Sequence, residues 1–355
     1  MEVERRKKTD VLDLFGAKDV LNVCAPMVRY SKLEFRSLVR KYGCDLCFTP
    51  MIMADSFVQS SKARDNEFTT GLGDTPLVVQ FAANTVEDFV ASAELVSPFS
   101  DGVDLNCGCP QRWAMQDGYG AHLLTQPQII KDIVSQTKNR IPSPFTVSVK
   151  IRIFDDIRKS VQLCQDLEAA GVSFLTVHGR TVKQRGEEVN LEAIKHIVES
   201  VRVPVIGNGG IKNLRDAQEM RSRTNCKGTM AAQGMLNNPA LFTEALSTPK
   251  EVVQDWVNLS LHSGMTFQCF HHHLVFMCEK ILSKEQRRVF NALHSFQEVA
   301  DFLALHLDIS IPPESDYESR RIEVQYSDND GKYFKTRVKE DVESCDILNE
   351  SWFCN

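Results

Sequence analysis

Eight short β-rich runs recur between Leu21 and Gln233, and segments with helical spacing separate most of them. The runs fall at residues 21–26, 46–52, 77–82, 102–106, 145–151, 174–178, 203–207 and 228–232. Helical periodicity covers 33–41, 86–96, 128–138, 160–170, 191–200 and 214–221, often behind a capping residue such as Ser31, Asn84-Thr85 or Asn213. Strands that alternate with helices build a parallel sheet with the helices packed outside it. Eight of them predict a closed (β/α)8 TIM barrel, with a doubly wound sheet as the alternative. The link at residues 54–74 shows no clear period and reads as an irregular loop over one barrel face.

From Leu241 the strand signal stops, and residues 253–261, 269–282 and 289–305 read as helices. An α/β barrel followed by a small all-helical domain is therefore expected. The division is an N-terminal extension at 1–19, a barrel at 20–245, a helical domain at 246–310 and a tail at 311–355. The tail is acidic, rich in Ser and Asp and weakly periodic, so it reads as mostly disordered. It also carries most of the net charge of −6, which leaves the rest of the chain near neutrality. Composition therefore does not announce a nucleic-acid binder, although a near-neutral body can still carry a basic face. No apolar run reaches the ~18 residues of a membrane span, and the charged start Met1 to Lys8 does not lead into a signal peptide. Eleven cysteines, an odd number scattered through apolar segments, fit reduced thiols in the cytosol better than a disulfide framework.

Chemistry-bearing residues gather at the C-terminal ends of the expected strands, where barrel enzymes place their active sites. In chain order these are Ala25-Pro26-Met27, Gln80, Asn106 to Pro110, Lys150-Ile151-Arg152, His178-Gly179-Arg180-Thr181, Gly207-Asn208-Gly209-Gly210 and Ala232-Gln233-Gly234. Cys109, between Gly108 and Pro110 in a tight loop, is a poor core filler. A small buried thiol is the bland alternative. The last two segments are glycine-containing turns that run into helix starts, a pattern whose free backbone N–H groups suit a phosphate. Lys150 rises from an apolar strand, and a buried lysine calls for an anionic partner. His178 reads equally well as a site residue or a core histidine. Cys44 and Cys47 have zinc-like spacing but no second pair, so they read as core thiols. His271-His272-His273 spans three faces of a helix and suits no metal. Lys280, Lys284, Arg287 and Arg288 form a basic face that is either solvated surface or a set of phosphate contacts.

Pro26-Met27, the loop Asn106-Cys107-Gly108-Cys109-Pro110-Gln111, Lys150-Ile151-Arg152, His178-Gly179-Arg180-Thr181 and Asn208-Gly209 together resemble the tRNA-dihydrouridine synthases. The run from Cys107 to Ala121 resembles most closely a eukaryotic branch taken to act on uridines 20a and 20b in the D-loop of cytoplasmic tRNA. The resemblance extends roughly from Val20 to Leu305. It implies an FMN-dependent barrel with a helical tRNA-binding domain, NADPH or NADH as reductant, and a hydride passed from flavin N5 to C6 of uracil. By the same resemblance Cys109 is the general acid that protonates C5; a cysteine thiol, mostly protonated at neutral pH, can play that part. The FMN contacts implied are Pro26, Met27, Val28, Gln80, Lys150, His178, Asn208, Gly209, Gly210, Ala232 and Gln233. Asn106, Arg152 and Arg180 are implied on the substrate side. A cytoplasmic monomer with tRNA as partner, no metal and no membrane is the corresponding expectation. Two positions depart from the family pattern: Gly210 stands where Asp is common, and Gln233 where Arg is common. Loss of that guanidinium predicts weaker hold on a flavin phosphate. Residues 183–188 also differ from the usual sequence. The competing readings are a flavin barrel acting on a free pyrimidine, which needs no helical platform, and a tRNA-binding protein that has lost catalysis.

Overall fold

The computed structural model describes residues 8–326. The chain opens with α1 (Val11–Ala17), capped by Asp10, whose side chain accepts from the Leu12 N–H. Phe15 packs on Phe174 with ring centroids 5.5 Å apart, and the Thr9 N–H donates to Asp101 at 2.8 Å. Phe174 and Asp101 lie where their strands begin, so α1 closes the N-terminal end of the barrel.

The barrel follows, its strands and helices largely alternating. It runs through β1 (Leu21–Cys24), α2 (Leu33–Lys41), β2 (Leu46–Phe48), β3 (Ile52–Met53), α3 (Ala54–Gln59), α4 (Ser61–Glu67), β4 (Leu77–Ala82), α5 (Val86–Val96), β5 (Gly102–Cys107), α6 (Arg112–Gln116), α7 (Pro127–Arg140), β6 (Thr146–Arg152), α8 (Ile157–Ala169), β7 (Phe174–His178), α9 (Leu191–Ser200), β8 (Val205–Asn208), α10 (Leu214–Thr224), β9 (Gly228–Ala231) and α11 (Gln233–Asn237). All pairings are parallel; β1 bonds to both β2 and β9, and β2 bonds in turn to β4, so the sheet closes on itself. This is the expected (β/α)8 barrel, built as eight staves because β2 and β3 are two halves of one. The run expected at 46–52 is interrupted at residues 49–51. β2 pairs with the start of β4 and β3 with its end. Pro50 has no N–H to give the ladder. At the break the Gln80 N–H of β4 is taken up by a side chain, the Thr49 hydroxyl, at 3.1 Å.

Helix spans mostly match the apolar spacing, with two corrections. Residues 54–74 are not an irregular loop: α3 and α4 occupy most of them, the second capped by Ser60. Both are short and polar, so no apolar stripe marks them. The helix expected at 289–305 is two helices, α14 (Lys284–Phe290) and α15 (Phe296–Leu307). Each begins with a capping box, Ser283 with Gln286 and Ser295 with Glu298.

α12 (Lys250–Ser260) and α13 (Phe267–Met277) attach the helical region to the barrel. His273 is the wedge. It stacks on Phe35 of α2 at 4.8 Å and lies 4.3 Å from Trp256, and burial pushes its pKa down to about 3. It packs as a neutral ring. Cys24, Cys44 and Cys47 are all buried, with the Cys44 and Cys47 sulfurs 3.7 Å apart.

The tail from Ile311 divides in two. Residues 311–326 do have a fixed course: they run back over the barrel instead of trailing free. The Ile322 N–H donates to Thr70 O at 3.0 Å, Arg321 pairs with Glu34 at 2.7 Å, and Tyr326 packs on Phe57 and Phe99. The remainder, 327–355, lies outside the described residues. Among the described residues no helix is long and apolar enough to cross a membrane.

Candidate active site

Side chains on a strand alternate between faces, so every second residue of each stave points into the barrel. Register then stacks the inward residues in tiers. Gln80, Asp104 and Ser148 lie side by side on β4, β5 and β6. One step higher are Asn106, Lys150 and Thr176, and above them Arg152, His178, Asn208 and Met230. The upper tiers open into a cavity of about 310 Å³. Its walls include every site residue expected from sequence. Pro26, Met27 and Val28 come from the end of β1, Gln80 from β4, Asn106 and Cys109 from β5, and Lys150 and Arg152 from β6. His178 and Arg180 come from β7, Asn208, Gly209 and Gly210 from β8, and Ala232 and Gln233 from β9.

A directional hydrogen-bond chain fixes the Cys109 loop. Asn106 Oδ1 accepts from the N–H groups of Gly108 and Cys109, at 3.1 and 2.9 Å. Those two donors leave Asn106 no choice of amide orientation. Its Nδ2 must donate to Gln80 Oε1 (2.9 Å), so Gln80 Nε2 must donate in turn to Asp104 (2.8 Å). Asp104 is fully buried and also accepts from the Ser148 hydroxyl at 2.6 Å. Burial pushes its pKa up to about 6, with the Ser148 and Gln80 hydrogen bonds and the Lys150 cation pulling the other way. Gly120, at φ +61, closes the loop from behind; a Cβ there would stand 2.6 Å from Cys109 O and 2.9 Å from Cys109 Cβ.

The two thiols of this loop differ. Cys107 belongs to β5, is wholly buried, and has its pKa raised well above the ordinary thiol value by burial and then by Asp104. Cys109 reaches the cavity wall. Only Cys109 is placed to meet a ligand.

Three cations surround His178. Burial, then Lys150, Arg152 and Arg180, depress its pKa far below the usual imidazole range, so the ring is neutral. Arg180 Nη1 lies 3.4 Å from His178 Nε2. An arginine only donates, which puts the ring proton on Nδ1. Gly209 and Gly210 have φ of +111° and +73°, and a Cβ on Gly209 would strike His178 Nε2 at 2.8 Å. The turn therefore needs glycine both for its backbone and for its closeness to the imidazole.

Two expected residues behave differently from their sequence reading. Arg152, expected on the substrate side, is buried and bonds to main-chain carbonyls: Nε donates to Gly108 O at 3.0 Å, and Nη1 to Thr181 O and Gln184 O at 3.0 and 3.1 Å. It holds loops together. Gln233 lines the cavity, yet its Nε2 donates to Asn237 at 2.6 Å, and Asn237 in turn donates to Glu279 at 2.6 Å. Sequence reading missed Tyr30, Met51, Arg185 and Lys212 on the cavity wall, as well as Asp104 beneath it. Lys212, two residues past Gly210, carried a usable signal: a cation beside a glycine turn. Arg185 lay in the segment marked as unusual.

The sequence model of the dihydrouridine synthase (Dus) family matches residues 23–310. A Mus musculus protein named tRNA-dihydrouridine(20a/20b) synthase NAD(P)+-like is 52% identical over 303 residues, which is 85% of this chain and 94% of that one. The Homo sapiens protein of the same name is 50% identical over 306 residues, 86% of this chain and 96% of its own. In Schizosaccharomyces pombe, the NAD(P)+ tRNA-dihydrouridine(20a/20b) synthase is 38% identical over 305 residues, 86% of this chain and 93% of its own.

Proposed function

This chain belongs to the dihydrouridine synthase family, and we propose that it reduces the C5=C6 bond of uridines 20a and 20b in the D-loop of cytoplasmic tRNA to 5,6-dihydrouridine, with FMN as bound cofactor and NADPH or NADH as reductant. One observation carries the reading. A cysteine thiol, a neutral histidine, a lysine and two amides meet in one cavity at the C-terminal mouth of the barrel. The names of the relatives, which specify tRNA, positions 20a/20b and NAD(P)+, support the rest of the reading.

The donor set fits FMN. Gln80, Asn106, Lys150 and His178 present amide, ammonium and imidazole groups of the kind that a flavin ring's carbonyls and nitrogens accept from. Pro26, Met27 and Val28 give an apolar wall for a flat ring system. Gly209 and Gly210 bring bare backbone to the cavity's edge, as an anionic phosphate requires. FMN, once reduced by NAD(P)H, supplies the hydride that adds to C6 of uracil.

The remaining chemistry belongs to the chain. Cys109 releases its proton to C5 on the face opposite the hydride, as a general acid held in place by Asn106 and Gly120. Saturating the ring builds negative charge toward O4. Lys150, whose ammonium carries three N–H groups, is the donor that holds it. The basic side chains of the helical region, Lys284 and Arg288, meet tRNA phosphates.

Purified protein should be yellow with bound flavin and, given NADPH, should form dihydrouridine in a D-loop-bearing tRNA transcript. The modified base is read by mass spectrometry of nuclease digests. Protein without flavin and without product would leave only a tRNA-binding role; product from free uridine but not from tRNA would move the substrate to small pyrimidines.

A further inference from the structure

Every polar backbone group from Gly108 to Pro110 has a partner. The N–H groups of Gly108 and Cys109 go to Asn106, and Cys109 O accepts from the Ala121 N–H at 2.9 Å. The two carbonyls that flank the thiol residue go to arginines. Gly108 O accepts from Arg152 Nε at 3.0 Å, and Pro110 O accepts from Arg185 Nη2 at 3.3 Å. Both guanidiniums are anchored at their other end in the same loop, between β7 and α9. Arg152 Nη1 reaches Thr181 O and Gln184 O, while Arg185 Nη1 reaches Val182 O at 2.8 Å. The thiol loop is thus stapled on both sides of Cys109 to residues 181–185.

The staples differ in accessibility. Arg152 is buried, whereas Arg185 is exposed and lines the cavity with Gly186. Arg185 Nε has no hydrogen-bond partner among the described residues.

We propose that Arg185 is a positioning residue for Cys109: through Pro110 O it sets where the thiol stands, and it links that placement to whatever bears on the β7–α9 loop. The inference rests on reading Cys109 as the proton donor. A planar fork can bridge Val182 O and Pro110 O, whereas a lysine ammonium at the end of a flexible stem retains the charge without the bridge. Geometry and charge can therefore be separated by substitution.

The test uses the flavin-loaded enzyme with Arg185→Ala and Arg185→Lys. Two readouts are taken: single-turnover oxidation of the reduced enzyme by tRNA, and the alkylation rate of Cys109 by iodoacetamide, followed by peptide mass spectrometry with buried Cys107 as internal reference. Misplacing a reacting group by about 1 Å costs on the order of 100-fold. A loosened loop should therefore slow turnover by roughly 10- to 100-fold, raise Cys109 alkylation severalfold, and leave flavin content and the KM for tRNA close to wild type. Arg185→Lys should behave like Arg185→Ala. Wild-type turnover and alkylation in Arg185→Ala, or full rescue by Arg185→Lys, overturns the proposal. If Cys109→Ala itself turns over normally, the proton-donor reading has failed and the staple with it. An inactive Cys109→Ala beside a normal Arg185→Ala condemns the staple alone.

Discussion

Asp104 makes the stability of this barrel depend on pH in a direction opposite to that of most carboxylates. Its carboxyl is fully buried, with a pKa pushed from 3.8 to about 6. The folded state therefore keeps a proton that the unfolded chain has released across that interval. Unfolding sheds a proton there, so stability falls as pH rises. The loss begins near the unfolded value of 3.8 and is complete above about 6. A shift of about two units at ~1.4 kcal/mol each amounts to ~3 kcal/mol. Asp104→Asn removes the titration and keeps the network. Its oxygen accepts from Gln80 Nε2, and its N–H groups face the Ser148 oxygen. Gln80 need not turn, and the Asn106 orientation that holds Cys109 survives. Urea unfolding followed by tryptophan fluorescence should be run on both proteins from pH 4 to pH 7. The stability difference should move ~3 kcal/mol in favour of the variant across that span. Asp104→Ala should show the same pH slope but lie ~1–3 kcal/mol below Asp104→Asn at every pH, because Gln80 Nε2 loses its acceptor. A wild-type-to-Asn difference that stays flat from pH 4 to pH 7, or moves the other way, would show that Asp104 is not a buried carboxyl that holds its proton.

Four further outcomes follow from the site. Cys109→Ala should retain flavin and lose at least ~100-fold in dihydrouridine formation, the usual scale for a missing general acid; Cys107→Ala, whose sulfur lies in the core, should lose far less. Lys150→Ala should lower flavin occupancy on purification or slow reoxidation by tRNA, and a fully loaded variant with normal rates would reduce Lys150 to a strand-end cation. Gln233→Arg should tighten FMN by less than the tenfold that one charge-assisted contact of ~1.4 kcal/mol gives, because Asn237 and Glu279 compete for the guanidinium; fluorescence titration of the apo-protein measures it, and a larger gain would mean the side chain escapes them. Lys284→Glu with Arg288→Glu should weaken tRNA binding and flatten its dependence on salt by roughly one unit of slope per lost phosphate contact, and an unchanged slope would move the tRNA platform to another face.

What the sequence conveys and what it hides follow from the range of each interaction. Helices such as Leu33–Lys41 and Val86–Val96 were legible because their stripe and their caps are local. So were the strand ends, since an Asn, Lys or His closing an apolar run has little structural excuse. The break at residues 291–295 was local too, yet Leu293 continues the apolar spacing and masks the capping box at Ser295. Asp104 was hidden because its partners stand on neighbouring staves, at Gln80 and Ser148. Arg152 looked like a substrate contact because the carbonyls that occupy it belong to residues 108, 181 and 184. Residues 311–326 read as disordered on composition alone. Their hold comes from Thr70, Glu34 and Phe57, more than 200 positions earlier.

The closure of the barrel between β1 and β9 sets an order of events during synthesis. Leu21 pairs with Gly228 and Cys24 with Ala231, so one edge of the first stave stays open until about 200 further residues have emerged. At roughly 5–20 residues per second that is about 10–40 s with an unpaired, apolar strand edge, the kind that recruits other chains. The seam that closes last runs through the cavity, with Pro26 to Val28 on one side and Ala232 and Gln233 on the other. A growing chain offers only half a pocket there, and a ligand can be captured only by a completed ring.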